Sequence, residues 1–198
     1  GKEEKKQKKV VKKTPTIDKW KKKSWYKIFA SKEFNRLEIG ETLSSDPNLL
    51  LKKRVQVNLS NLINDARKQN IKVSFSVIKV EDDGASTDLV KYELISAFIR
   101  RLVKRDKTKI EDSFIAITKD NYKVRIKPLV VTKNETKGEI ESKLRNEIRS
   151  NLIKNIKNLS YEELFMNTIN HTLQNWLRDS IKKVYPISSS EIRILERV

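Results

Sequence analysis

Cysteine is absent from the 198 residues, which excludes disulfides, thiolate zinc sites and thiol nucleophiles. A single histidine, His171, cannot by itself build a transition-metal site, and no Ser-His-Asp arrangement can be argued from its spacing. Glycine occurs only at Gly1, Gly40, Gly84 and Gly138, and none of these opens a phosphate loop or a dinucleotide fingerprint. No run approaches the ~18 apolar residues of a membrane span. The first residues carry Lys and Glu where a signal peptide has its apolar segment, so an intracellular location is expected. The hydrophobic fraction of 37% lies below the ~45–50% of an average domain, yet the apolar residues fall in periodic blocks that can build one core.

Positive charge is present in excess. Lys and Arg number 44 against 26 Asp and Glu, a formal net charge of +18. Such a field needs a polyanion, and nucleic acid supplies one because each phosphate met by a cation releases condensed counterions. An anionic membrane surface would need an amphipathic or acylated anchor as well, and no membrane partner is expected. Residues 1–23 hold eleven lysines against three acids, with few apolar residues beyond Val10, Val11, Ile17 and Trp20. This segment cannot bury enough surface to fold alone and reads as an extended RNA-binding arm.

Residues 24–198 read as one α+β domain, with a β core over about 24–132, a C-terminal helix pair over about 137–185 and a final strand over about 190–196. Val55, Val57 and Leu59 alternate with polar residues, as do Ile71, Val73, Phe75 and Val77. Glu81-Asp82-Asp83-Gly84 then supplies a hairpin turn. Helical spacing is expected between Thr87 and Lys104, followed by strands over Lys109 to Thr118 and Tyr122 to Thr132. Ile140, Leu144, Ile148, Leu152 and Ile156 recur every four residues. Ser160-Tyr161-Glu162-Glu163 forms a capping box that predicts one helix running to about Tyr185, where Pro186 stops it. Short strands joined by tight turns favour a barrel or a sandwich.

Three basic constellations are the candidate RNA-binding residues. Lys19, Trp20, Lys21, Lys22 and Lys23, with Lys12 and Lys13 earlier in the arm, interleave cations with an aromatic able to stack on an unpaired base. Trp25 and Tyr26 belong equally well to the core. Arg100, Arg101, Lys104, Arg105 and Lys107 form a dense patch at a helix end, where the dipole also favours cations. Lys123, Arg125 and Lys127 share one face of a strand whose other face is Tyr122, Val124 and Ile126. A solvated charged face explains any one of these; three on so basic a chain favour phosphate binding. The carboxylates of Glu81-Asp82-Asp83 and Glu111-Asp112 read as a polar turn and a strand start rather than a nuclease metal site. No catalytic residue, metal or cofactor is expected, and the chain reads as a non-enzyme.

Four pieces in order resemble one family. They are Asp18-Lys19-Trp20 with Lys23-Ser24-Trp25-Tyr26; Ile39-Gly40-Glu41-Thr42 with Asp46-Pro47; Tyr122-Lys123-Val124-Arg125-Ile126-Lys127-Pro128-Leu129; and Lys183-Val184-Tyr185-Pro186-Ile187 with Glu191-Ile192-Arg193. The chain resembles the small-subunit ribosomal proteins of the S1e or S3Ae type across nearly its whole length, in their archaeal form. It departs at Ala30-Ser31, where the family tends to Ala-Pro, and at Lys53-Arg54, where it tends to Gly-Arg. The resemblance implies an antiparallel β-barrel-like core with peripheral α-helices. It implies a structural role on the platform of the small ribosomal subunit near the messenger exit, in the cytoplasm, bound to small-subunit (16S) ribosomal RNA. Neighbouring platform proteins, and messenger RNA along the exit path, are the further partners it implies. A free RNA-binding protein, acting as a chaperone or a translation regulator, is the alternative.

Overall fold

In the computed structural model of the chain, residues 22–198 are described. Nine strands among them form one sheet: β1 Ser24–Phe29, β2 Glu38–Ser44, β3 Arg54–Asn58, β4 Ile71–Glu81, β5 Gly84–Leu94, β6 Lys109–Glu111, β7 Phe114–Ile117, β8 Lys123–Thr132 and β9 Ile187–Arg197. Five α-helices accompany them: α1 Leu59–Ile63, α2 Ser96–Leu102, α3 Gly138–Lys157, α4 Tyr161–Ile169 and α5 Thr172–Ile181. The α+β class is as expected from the alternation of period-two and period-four blocks.

Strand order runs β3-β4-β5, then β9 and β8. Two edges are shared. The far edge of β5 takes β1 at Ala85 and β9 at Lys91 to Glu93, and the far edge of β8 takes β6 and β7 end to end. Every pairing is antiparallel except that of β1 with β5. The sheet does not close into the barrel that the resemblance implied. Closure requires the last strand to bond the first, and neither β6 nor β7 pairs with β2 or β3. One face of the open sheet is instead sealed by helices, so that Leu144, Ile148, Leu152 and Ile156 of α3 and Leu173, Leu177 and Ile181 of α5 share one core with the strands. Each such fully buried side chain contributes about 1.5–3 kcal/mol.

Register explains how one face becomes core. Val57, Val73, Tyr92, Leu195, Ile126 and Phe114 stand directly opposite one another across six successive strands, and all but the half-buried Val57 are fully enclosed. Aromatic rings meet aliphatic side chains at Val73–Tyr92, Tyr92–Leu195 and Ile126–Phe114, the kind of cross-strand pair that holds an antiparallel sheet. At the β4–β5 turn Gly84 takes φ +148, and a Cβ there would lie 2.5 Å from the Lys27 carbonyl oxygen of β1. Only glycine allows that approach.

Three sequence-based expectations change. The helix expected from Thr87 is strand as far as Leu94, because the Glu81–Gly84 turn zips β4 onto β5 and buries Thr87, Leu89, Tyr92 and Leu94. Long-range pairing overrides the local spacing, and only Ser96–Leu102 remains helical. The strand from Lys109 breaks at Asp112-Ser113, where Asp112 accepts the Ser113 N–H at 2.8 Å and two Arg149 bonds at 2.7 and 2.8 Å. The capped helix is two helices: the box forms, with Ser160 N–H on Glu163 at 2.9 Å and Glu163 N–H on Ser160 Oγ at 3.2 Å, but His171 takes φ 65 and ends the first run.

Candidate nucleic-acid interface

The face of the sheet opposite the helices is polar. Directly opposed residues again define it: Gln56, Ser74, Lys91, Glu196, Arg125 and Ile115 form one row across β3, β4, β5, β9, β8 and β7. Asn58, Lys72, Glu93, Ile194 and Lys127 form the next. Arg54 opposite Ser76, and Lys123 opposite Ile117, extend the same face. Six cations thus stand in these rows with the carboxylates Glu93 and Glu196, and Asp88 stands opposite Ser76. Lys91 meets Glu93 at 3.5 Å, whereas Arg54, Lys72, Lys123, Arg125 and Lys127 make no ion pair with a described residue. Cations without an acidic partner, repeated on strands ~4.8 Å apart, offer several contacts at once to a phosphate backbone.

The strand triplet Lys123, Arg125 and Lys127 therefore lies at the edge of a larger cationic face. The bulge between Lys127 and Pro128 ends it, turning Pro128 and Leu129 inward. The α2 patch adjoins the β4 end of the same face. One hollow there, of about 320 Å³, is lined by Gln56, Lys72, Glu93 and Ile95, and Ile95 also lines a second, of about 560 Å³, with Gln69, Asn70, Arg100 and Arg101. Arg101 donates to the Asn70 side-chain oxygen at 3.0 Å and lies over the Phe98 ring, so its guanidinium is held in place. Arg100, Lys104 and Arg105 are exposed. Lys107 turns inward and donates to Ser188 Oγ at 2.6 Å, tying the segment before β6 to β9. At the N-terminal side, Lys22 is exposed and Lys23 half-buried; Lys12, Lys13, Lys19, Trp20 and Lys21 lie outside the described residues.

A sequence model of the Ribosomal S3Ae family matches residues 11–197. The chain belongs to that family. Archaeal relatives include the small ribosomal subunit protein eS1 of Methanothermobacter thermautotrophicus, 31% identical over 182 residues, 90% of this chain and 93% of the relative. The protein of the same name from Nanoarchaeum equitans is 34% identical over 167 residues, 84% of each chain. That of Methanopyrus kandleri is 31% identical over 183 residues, 90% of this chain and 87% of its own. Proteins of this family are structural components rather than enzymes, and this S3Ae-family chain is not an enzyme.

Titratable groups in the S3Ae-family chain are engaged structurally. His171 contacts both Glu191 carboxylate oxygens at 3.1 Å and Asn175 Oδ1 at 3.1 Å, joining the α4–α5 link to β9. The Glu191 hydrogen bond raises the imidazole pKa above its ordinary value. Glu111 pairs with Lys109 and Arg193, and Asp112 with Arg149, whose hydrogen bond holds the Asp112 carboxyl below the usual range. Among the described residues no cluster of three or more His, Asp or Glu is arranged to hold a metal ion.

Sequence reasoning missed Trp25, which is 69% exposed although it is aromatic and begins a strand. It stands opposite Leu43 on β2 and two residues from exposed Lys27, while Ile28 is the buried member of β1. The signal was parity: Trp25 shares a face with Lys27, not with Ile28. Arg54 and Lys72 were missed for the opposite reason, since each is ordinary alone and becomes part of a row only when the strands pair.

Proposed function

We propose that this chain is a structural constituent of the small ribosomal subunit and grips small-subunit ribosomal RNA with the open face of its sheet. The observation that carries the proposal is the row of unpaired cations across that face, in a chain that matches the family from residue 11 to residue 197. Lys72, Lys123, Arg125 and Lys127, with Arg100, Arg101, Lys104 and Arg105 beside α2, meet phosphates, and Trp25 stacks on an unpaired base. The Lys-rich segment 1–23 runs along the RNA as an arm, while 24–198 folds as one domain that holds these residues in fixed relation. Its place is the platform, near the messenger exit, beside other platform proteins. Seating it there makes the protein part of the RNA's folding and rigidity, with chemistry supplied elsewhere in the particle.

Sedimentation tests the reading. A structural constituent stays with small subunits through a moderate salt wash, because many phosphate contacts must be exchanged for cations together. Release of the chain to the top of the gradient would instead identify a free RNA-binding protein, a chaperone or a regulator.

A further inference from the structure

Strand β7 lies on an outer edge of the sheet, and its sequence, Phe114-Ile115-Ala116-Ile117, holds no charge. Outer strands usually guard their unpaired backbone with charged side chains. Here β3 shows Arg54 and Gln56 to solvent and β2 shows Glu38 and Glu41. Beside β7 the rest of the edge is closed by other groups. Arg145 Nε donates to the Glu111 carbonyl at 3.3 Å, Arg149 grips Asp112 at the break, and the Lys119 N–H donates to the Leu159 carbonyl at 2.8 Å.

The segment between these closures is open. Thr118 N–H donates to the Tyr122 carbonyl at 2.9 Å, which fixes the parity of the ladder: Thr118, Ala116 and Phe114 turn their backbone groups to β8. Ile115 and Ile117 therefore turn their N–H and C=O groups outward, where no strand of the described residues lies. The side chains of the same two residues are 46% and 50% exposed, and Ile153 of α3 is 40% exposed. These three isoleucines, with Lys119 and Lys157, line a groove of about 510 Å³ that has no acidic residue in its wall among the described residues.

We propose that this groove receives an extended segment of another protein, added to the sheet as a strand beside β7, with apolar side chains at alternate positions and carboxylates between or beside them. Backbone groups of Ile115 and Ile117 supply two donors and two acceptors for the ladder, and the isoleucines supply the pocket for alternate side chains. Lys119 and Lys157 on the rim match the acidic residues. Residues 1–21 of this chain, being lysine-rich, are repelled by the same rim. RNA finds no use for three isoleucines that offer neither a donor nor a stacking plane. The site is a protein contact at the β7 edge of the cationic face, where Ile115 stands opposite Arg125 and Ile117 opposite Lys123, and it does not depend on the ribosomal reading.

The test is binding of a short synthetic peptide in which valine alternates with glutamate, measured by fluorescence anisotropy on the intact chain, with amide hydrogen exchange as the second readout. Binding with slowed exchange at Ile115 and Ile117 is expected. The double variant Ile115→Lys, Ile117→Lys is expected to weaken it by about tenfold or more. Both residues point to solvent, so the variant folds; Lys157→Glu is a second variant on α3 that leaves the strand untouched and is expected to weaken the same peptide. No binding, binding that both variants leave unchanged, protection of the same amides by oligouridylate in place of the peptide, or self-association of the chain through Ile115 and Ile117 would each overturn the proposal. Co-sedimentation with small subunits is scored separately, so loss of the peptide site leaves the proposed function standing.

Discussion

Replacing Lys123, Arg125 and Lys127 together with glutamine removes three cations from one strand face without touching a buried apolar group. None of the three has an ion pair with a described residue, so folding stability should move by only about 0.5 kcal/mol. RNA binding should move far more. Each phosphate contact contributes about 0.9 to the slope of log affinity against log salt on a duplex and about 0.7 on a single strand. Three lost contacts flatten the slope by roughly 2 to 3, and over a fourfold rise in salt the variant then loses roughly 20- to 40-fold less affinity than the parent. Anisotropy titrations with a fragment of small-subunit ribosomal RNA, at a series of potassium chloride concentrations, read this directly. The control is a charge-matched variant, Lys143→Gln, Lys154→Gln, Lys183→Gln, altered at exposed positions on α3 and after α5. Equal slopes in parent and strand variant, or equal flattening in both variants, would refute the assignment of phosphate contacts to this face.

Trp25→Ala should weaken binding to single-stranded RNA by about 1–3 kcal/mol while Trp25→Phe retains most of it, and quenching of tryptophan fluorescence on titration with oligouridylate is the check. Leu152, wholly enclosed on α3, should cost about 2–5 kcal/mol when replaced by alanine, measured by urea denaturation. Tyr161 Oη donates to the Leu89 carbonyl at 2.6 Å, so Tyr161→Phe should cost about 1 kcal/mol and leave the salt slope of RNA binding unchanged. The His171 pKa is raised in the folded chain by its bond to Glu191. Its stabilisation is therefore complete below the unfolded value of about 6.5 and fades as pH rises through the folded value. Melting temperatures of the parent and His171→Gln should differ most near about pH 5.5 and converge in alkali; a gap that widens with pH contradicts the ion pair.

Much of the sheet was legible because burial on one side imposes strict alternation, as in Val73, Phe75 and Val77 or Val124 and Ile126. The same alternation exposed Lys123, Arg125 and Lys127 as a set before any pairing was known. Residues 87–94 were not legible. Leu89, Val90, Tyr92 and Leu94 satisfy either period over so short a span, and the arbiter is β4, far off in contact but adjacent through the Gly84 turn. The break at His171 hid for a related reason, since the buried residues Phe165, Ile169, Leu173 and Leu177 keep a four-residue rhythm straight across it. Barrel closure is a property of which edges meet, and no local pattern encodes it. The rows through Gln56 and Asn58 were unreadable likewise, because they join residues from strands that only register brings together.

Lysine reactivity, read by mass spectrometry on the free chain and on the chain within intact small subunits, tests the central claim. Strong protection of Lys72, Lys123 and Lys127 in the particle, with Lys143 and Lys154 on the helix side still reactive, is the predicted result. Protection of the helix side with an open sheet face that reacts as freely as in the isolated chain would contradict it.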